Sequence, residues 1–158
     1  MPLGTGEPAP DFTLPGTDGT AEGRRSYSLS ELHGQPVVLV FYPADRSPVC
    51  TVQLATYSAD ISRFATLGAA VLAISPQSVD EHEAFVAAEG GFAFPLLSDE
   101  DKAVGRAYGI LGPLGFYRRS VFVIDRNGVV RWAHRSPSGL TFRSVDELVD
   151  VLGSLPAT

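Results

Sequence analysis

Val37-Val38-Leu39-Val40-Phe41-Tyr42 is an unbroken apolar run with no polar side. A strand of this kind must be covered on both faces, as in the interior of an open α/β sheet, so helices have to flank it. A helix follows at once. Ser47 is an N-cap residue, and Pro48 stands at the first helical position, where its missing N–H costs nothing. Leu54, Tyr57, Ile61 and Phe64 then repeat at helical spacing until Gly68 stops the run. Ala70-Val71-Leu72-Ala73-Ile74 is a second buried strand.

Weaker signals complete the order. Residues 1–8 form a loose lead-in, and Asp11-Phe12-Thr13-Leu14 alternates as a short strand ending at Pro15-Gly16. Ser78-Val79-Asp80-Glu81 has the capping-box pattern, opening a helix with Phe85 and Val86 on its apolar side and Gly90-Gly91 at its end. Phe94-Pro95-Leu96-Leu97 is short and ambiguous. Asp99-Glu100-Asp101 opens a helix through Val104, Ala107 and Tyr108, closed by Gly109. Val121-Phe122-Val123-Ile124 and Val129-Val130-Arg131-Trp132 flank Asp125-Arg126-Asn127-Gly128, and Asn-Gly between two apolar runs marks a hairpin. Ser144-Val145-Asp146-Glu147 repeats the capping box before a helix with Leu148, Val151 and Leu152 inside. No repeat or linker divides the chain, so residues 1–158 are expected to form one α/β domain. The order predicts a thioredoxin-like fold: a central mixed β-sheet flanked by helices on both faces, with an N-terminal strand extension.

Charge narrows the partners. Twelve basic residues against 18 acidic leave a formal charge of −6, which argues against nucleic acid or an anionic membrane. Arg118-Arg119 is the candidate basic patch. No apolar segment approaches the roughly 20 residues of a membrane span. Met1 to Pro8 has neither a basic start nor an apolar run, so no signal peptide is expected and the chain is placed in the cytoplasm.

The chain has one cysteine, Cys50, in the first turn of the helix that opens at Ser47. One cysteine excludes an intrachain disulfide and a cysteine-rich zinc site, and suits a reducing compartment. A lone cysteine is ordinarily a small buried hydrophobe. This one follows the C-terminal end of a strand, where open α/β sheets bind ligands, and the positive end of a helix dipole favours its thiolate.

Pro43-x-x-x-Ser47-x-x-Cys50 resembles the peroxiredoxin signature of proline, three residues, threonine or serine, two residues and cysteine. Phe41-Tyr42, Thr51, Ala9-Pro10-Asp11-Phe12 and Arg119-x-x-Phe122-x-Ile124-Asp125 are similar too, so the resemblance spans roughly residues 5–150. Within the peroxiredoxins the chain looks most like the bacterioferritin-comigratory branch of the alkyl hydroperoxide reductase/thiol-specific antioxidant group, in a one-cysteine form. The resemblance implies a thiol-dependent peroxidase without metal or organic cofactor. Its substrates would be hydrogen peroxide and organic hydroperoxides, and its cysteine would pass through a sulfenic acid.

Residue roles follow from that resemblance. Cys50 would attack the peroxide, and Arg119 would favour the thiolate and hold the peroxide oxygens. Alternation along a strand leaves Arg118 and Arg119 both open, and the resemblance selects Arg119 by its spacing to Phe122. Ser47 is a helix cap that could also bond the peroxide, Pro43 would shield the thiolate, and the N–H groups of Val49 and Cys50 would stabilise the departing oxygen. The case requires the sulfur to be reachable by oxidants and beside a cation.

Departures from the family pattern bear on turnover. Gln53 stands where relatives often have glutamate, which alters a secondary hydrogen-bond network. Ala55 stands where some relatives carry a resolving cysteine, and residues 78–84 contain none. An external thiol must then recycle the enzyme: thioredoxin, glutaredoxin or a low-molecular-weight thiol. The chain would act as a monomer or homodimer.

Two rivals stand beside this reading. A thiol–disulfide oxidoreductase would want two cysteines, and Ser47-Pro48-Val49-Cys50 offers one. A redox-silent thioredoxin-fold binding module would account for the missing resolving cysteine. His33, His82 and His134 share no ligand spacing and are expected to be surface or capping residues. Gly112-Pro113-Leu114-Gly115 is expected to border the Cys50 site, with Phe116 and Tyr117 either walling it or packing in the core.

Overall fold

In the computed structural model, which describes residues 3–20, 23–136 and 141–155, the buried runs form the middle of a seven-stranded mixed sheet. The strands are β1 (Thr13–Thr17), β2 (Arg24–Ser28), β3 (Val37–Phe41), β4 (Ala70–Ser75), β5 (Leu96–Ser98), β6 (Ser120–Ile124) and β7 (Val130–Arg135), in the order β2-β1-β5-β4-β3-β6-β7. β3, β4 and β5 run parallel, and the other pairs are antiparallel. The helices are α1 (Pro48–Ala59), α2 (Ile61–Thr66), α3 (Val79–Glu89), α4 (Ala103–Ala107) and α5 (Val145–Gly153).

Alternation along β3 divides the interior into two cores. Val38, Val40 and Tyr42 pack with Leu54, Phe64, Phe85 and Leu148, so α1, α2, α3 and α5 cover one face. Val37, Leu39 and Phe41 pack with Leu29, Val104 and Tyr108, so α4 and the N-terminal segment cover the other. Every residue of β3 is buried, as the doubly covered strand requires. Cys50 belongs to the first core and Tyr117 to the second. Tyr117 therefore lies on the opposite side of the sheet from Cys50, and its hydroxyl donates to Asp99 Oδ2 at 2.5 Å. Phe116 is exposed, beneath the Lys102 ammonium.

Several expectations need correction. The first strand does not stop at Pro15-Gly16; β1 runs through both. Asp18 N–H donates to Gly23 and Phe12 C=O accepts from Leu29, both toward β2, so alternation turns the Pro15 nitrogen away from β2. On that other side β1 pairs with β5 only at Gly16 and Thr17, so no ladder bond is lost. Gly16 is required there, because a Cβ would stand 2.4 Å from the Leu96 carbonyl oxygen. The lead-in is not loose in its described part: Gly6 N–H donates to Val130 O and Val130 N–H to Glu7 O. Met1 and Pro2 lie outside the described residues. The single helix expected up to Gly68 is two, α1 and α2, broken at Asp60. The helix expected from Asp99 begins only at Ala103, because Asp99 spends its carboxylate on the Val104 and Gly105 N–H groups. Of the ambiguous Phe94-Pro95-Leu96-Leu97, only Leu96 and Leu97 enter the short β5.

Candidate active site

β3 delivers the chain into the loop before α1, and Ser47 caps that helix with Oγ accepting from Cys50 N–H at 3.3 Å. Thr51 reinforces the turn, its N–H and hydroxyl both bonding Ser47 O at 2.9 Å. These bonds hold Cys50 in the first turn, facing the sheet. The cap also engages the Cys50 N–H that was expected to await the departing oxygen. Pro43 sits at the loop entrance, partly buried.

Sheet register supplies the cation. β6 pairs antiparallel with β3, and Phe41 faces Ser120, so Arg119 lies beside the exit of β3. Alternation sends Arg119 to the same side as Val121 and Val123, the core that contains Cys50. Its Nη2 donates to Cys50 Sγ at 3.2 Å and its Nη1 to Gln53 Oε1 at 2.5 Å. Arg118 turns the other way, with Nη2 3.4 Å from Ser136 O. Gln53, one helical turn after Cys50, is fully buried and fixes the guanidinium from α1. Behind it Gln53 Nε2 donates to the Tyr57 hydroxyl at 3.4 Å, and that hydroxyl donates to Arg143 O. Burial pushes the Tyr57 pKa up to about 12, so it stays a donor.

One expectation fails at the sulfur. Cys50 has 0% of its surface exposed, so the thiol is not open to solvent in this conformation. It is sealed beside a guanidinium and not in hydrocarbon alone. A peroxide needs local opening of the first turn or its cover.

Cys50, Arg119, Ser47 and Gln53 are thus brought together. The Gly112–Gly115 loop lies beside Arg118, whose side chain a Cβ on Gly112 would meet at 3.2 Å, and Arg118 is the arginine that turns away from the sulfur. His82 corrects a second expectation: it is fully buried, with Nδ1 2.7 Å from Asp45 Oδ2 and Nε2 2.9 Å from Leu97 O. Its helical spacing carried the signal, since His82 falls three residues after Val79 and three before Phe85, both on the buried side of α3.

Residues 5–133 match the AhpC/TSA family. The chain belongs to that family, the peroxiredoxins. Among relatives, peroxiredoxin Q of the Sedum lineare chloroplast is 36% identical over 152 residues, covering 95% of this chain and 78% of the relative. A peroxiredoxin of Thermoplasma volcanium is 34% identical over 161 residues, covering 98% and 76%. Among solved structures, the bacterioferritin comigratory protein of Xanthomonas campestris superposes with a TM-score of 0.76 at 30% identity, covering 89% of this chain and 90% of that one. Mycobacterium tuberculosis AhpC superposes with a TM-score of 0.89 at 24% identity over 98% and 93%, a likeness of fold. Peroxiredoxins are thiol-dependent peroxidases, and Cys50 supplies this member with its thiol.

Proposed function

We propose that Cys50 is the peroxidatic residue of a one-cysteine peroxiredoxin that reduces hydrogen peroxide and organic hydroperoxides. The observation that carries this reading is the Arg119 guanidinium 3.2 Å from the sulfur. The guanidinium is a fixed cation with a planar fork of N–H donors, a geometry suited to peroxide oxygens at the sulfur. The thiolate attacks one peroxide oxygen and the O–O bond breaks. The other oxygen leaves with its electron pair and takes a proton, giving water or an alcohol, while Cys50 becomes a sulfenic acid. Ser47 stays at the helix cap, and partly buried Pro43 opens the loop, where it would shield the sulfur from water.

The chain contains no second cysteine, so reduction comes from outside. A thiol condenses with the sulfenic acid, releasing water and leaving a mixed disulfide. A second thiol then attacks that disulfide and frees Cys50. Thioredoxin, glutaredoxin and low-molecular-weight thiols are the candidate reductants, and the reducing cytoplasm is the compartment such a cycle suits. The solved Xanthomonas campestris relative, described by its alkyl peroxide reduction activity, supports organic hydroperoxides as substrates.

The burial of Cys50 favours one competing reading, a redox-silent binding module. Quenched-flow oxidation of the reduced protein by hydrogen peroxide, with the sulfenic acid trapped and weighed by mass spectrometry, separates the two. A second-order rate constant far above that of free cysteine supports the peroxidase. A rate no faster than free cysteine supports the silent module.

A further inference from the structure

We infer that Asp45 and His82 are positioning residues of the Cys50 site, a buried bonded pair that bolts the loop before α1 to α3. The inference rests on the peroxidase reading above and adds to it a device outside the cysteine's own contacts.

Asp45 lies midway between Pro43 and Ser47, on the segment that aims Cys50. Its side chain is 4% exposed and that of His82 is fully buried. The Leu97 carbonyl can only accept, so His82 Nε2 carries a hydrogen and donates to it at 2.9 Å. At the other ring nitrogen, Nδ1 lies 2.7 Å from Asp45 Oδ2. Two bare lone pairs do not sit that close, so a proton lies between them. The second carboxyl oxygen, Oδ1, accepts from the Tyr42 hydroxyl at 2.7 Å. That hydroxyl also lies 3.4 Å from His82 Nδ1. Burial, and then the Asp45 carboxylate, hold the Tyr42 pKa well above its ordinary value, so Tyr42 serves as a donor.

The loop is thus tied at three points. Tyr42 bonds Asp45 from the end of β3, His82 bonds it from α3, and Gln77 Oε1 accepts from Asp45 N–H at 3.2 Å. The next residue, Arg46, is held at φ 64°, a left-handed conformation that a side-chain-bearing residue adopts only under constraint. A buried hydrogen-bonded pair of this kind is weak evidence for stability, but it fixes geometry strongly, because breaking it leaves an unpaired polar group in the interior. Loss of the pair would release the segment that places Ser47 and Cys50 against Arg119.

The test separates hydrogen bonds from charge. In Asp45→Asn the amide nitrogen can donate to Nδ1 of a neutral His82 while the amide oxygen still accepts from Tyr42. Every bond survives and the charge is gone. Asp45→Glu keeps the charge and displaces the carboxylate by one methylene, and His82→Leu removes the bolt. The expected peroxide rate constant of Asp45→Asn is within about threefold of the native one, and Asp45→Glu and His82→Leu fall about ten- to hundredfold through misplacement of the site. Long-range proton–nitrogen NMR of Asp45→Asn should show His82 protonated at Nε2 alone. Native rates in Asp45→Glu and His82→Leu overturn the inference, as does an Asp45→Asn rate as low as that of Asp45→Glu. Asp45→Asn is isosteric and decides the matter if the other two do not fold: a native rate with the single-protonated ring supports the bolt, and a slow rate overturns it. A native protein oxidised no faster than free cysteine overturns the peroxidase reading and this inference together. Fast native oxidation with insensitive variants overturns this inference alone.

Discussion

Arg119 and Cys50 stand 69 residues apart in the chain and 3.2 Å apart in space, guanidinium nitrogen to sulfur. The contact is built by strand register: β6 lies antiparallel to β3, and α1 opens where β3 ends. Gln53 then keeps the guanidinium from rotating away. Under the proposed function this is where the peroxide oxygens meet both the sulfur and the donors of the guanidinium.

Cys50→Ser should abolish peroxide consumption while leaving the fold intact, because serine fills the same space without the nucleophile. Peroxide depletion with a thiol reductant in excess measures it, and retained turnover would remove Cys50 from the mechanism.

Arg119→Ala should lower the peroxide rate constant by about 10²- to 10³-fold, the scale of removing one preorganised donor from a developing charge. Arg118→Ala should stay within about twofold, as for a residue whose side chain faces away from the site. Equal losses in both would refute the assignment by strand side.

Gln53→Leu should cost about tenfold in the same rate constant, since Arg119 Nη1 loses the oxygen that orients it. The measurement is again single-turnover oxidation, with circular dichroism to show the fold retained. A native rate would mean that the guanidinium is oriented without Gln53.

Asp99→Ala should destabilise the protein by about 3–5 kcal/mol, because it strands the buried Val104 and Gly105 N–H groups and the Tyr117 hydroxyl together. Urea unfolding should show the loss as a lower midpoint. A change under about 1 kcal/mol would mean that water or rearranged groups replace the carboxylate.

Asp125 makes acid stability testable. Burial alone would raise its pKa, but Arg131 and the N–H groups of Val129 and Asn127 bind the carboxylate and bring it below the ordinary 3.8. A depressed folded pKa means stability that is fully present above 3.8 and is lost as pH falls through the lower folded value. Asp125→Asn should therefore flatten the acid limb of a stability–pH curve below about pH 4, with unfolding midpoints at several pH values as the measurement. An unchanged limb would refute this origin.

The buried strands, the hairpin and the caps were legible because each has a local cause. β3 and β4 have no polar side to expose, Gly128 turns the hairpin at φ 79°, and Ser78 and Glu81 exchange the two expected capping bonds. The second box forms only in half: Ser144 accepts from Glu147 N–H, and the Glu147 carboxylate pairs with Arg143. β2 was not legible: Arg24-Arg25-Ser26-Tyr27-Ser28 is a polar edge strand whose pairing with β1 creates it. The resemblance located Cys50, Ser47 and Arg119, and strand side then explains why Arg119 and not Arg118 reaches the sulfur. The Asp45–His82 pairing was not legible because 37 residues separate the two, Asp45 fills a variable position of the Pro43-to-Cys50 signature, and His82 was expected at the surface or as a cap. The depth of Cys50 was missed as well, since a first-turn cysteine can face out or in, and only the packing of α1 on the sheet settles which.

The joint between β1 and β5 spans just Gly16 and Thr17, with Gly16 pressed against the neighbouring backbone. Both Cys50 and Arg119 lie beyond that joint, on elements attached to β3 and β6. A methyl group at position 16 would therefore wedge the two strands apart at their narrowest seam. Phe12, Leu14 and Tyr27 in the second core and the Arg24 pairs with Asp80 and Glu83 go on anchoring the hairpin, so the damage should stay far from the sulfur and its cation.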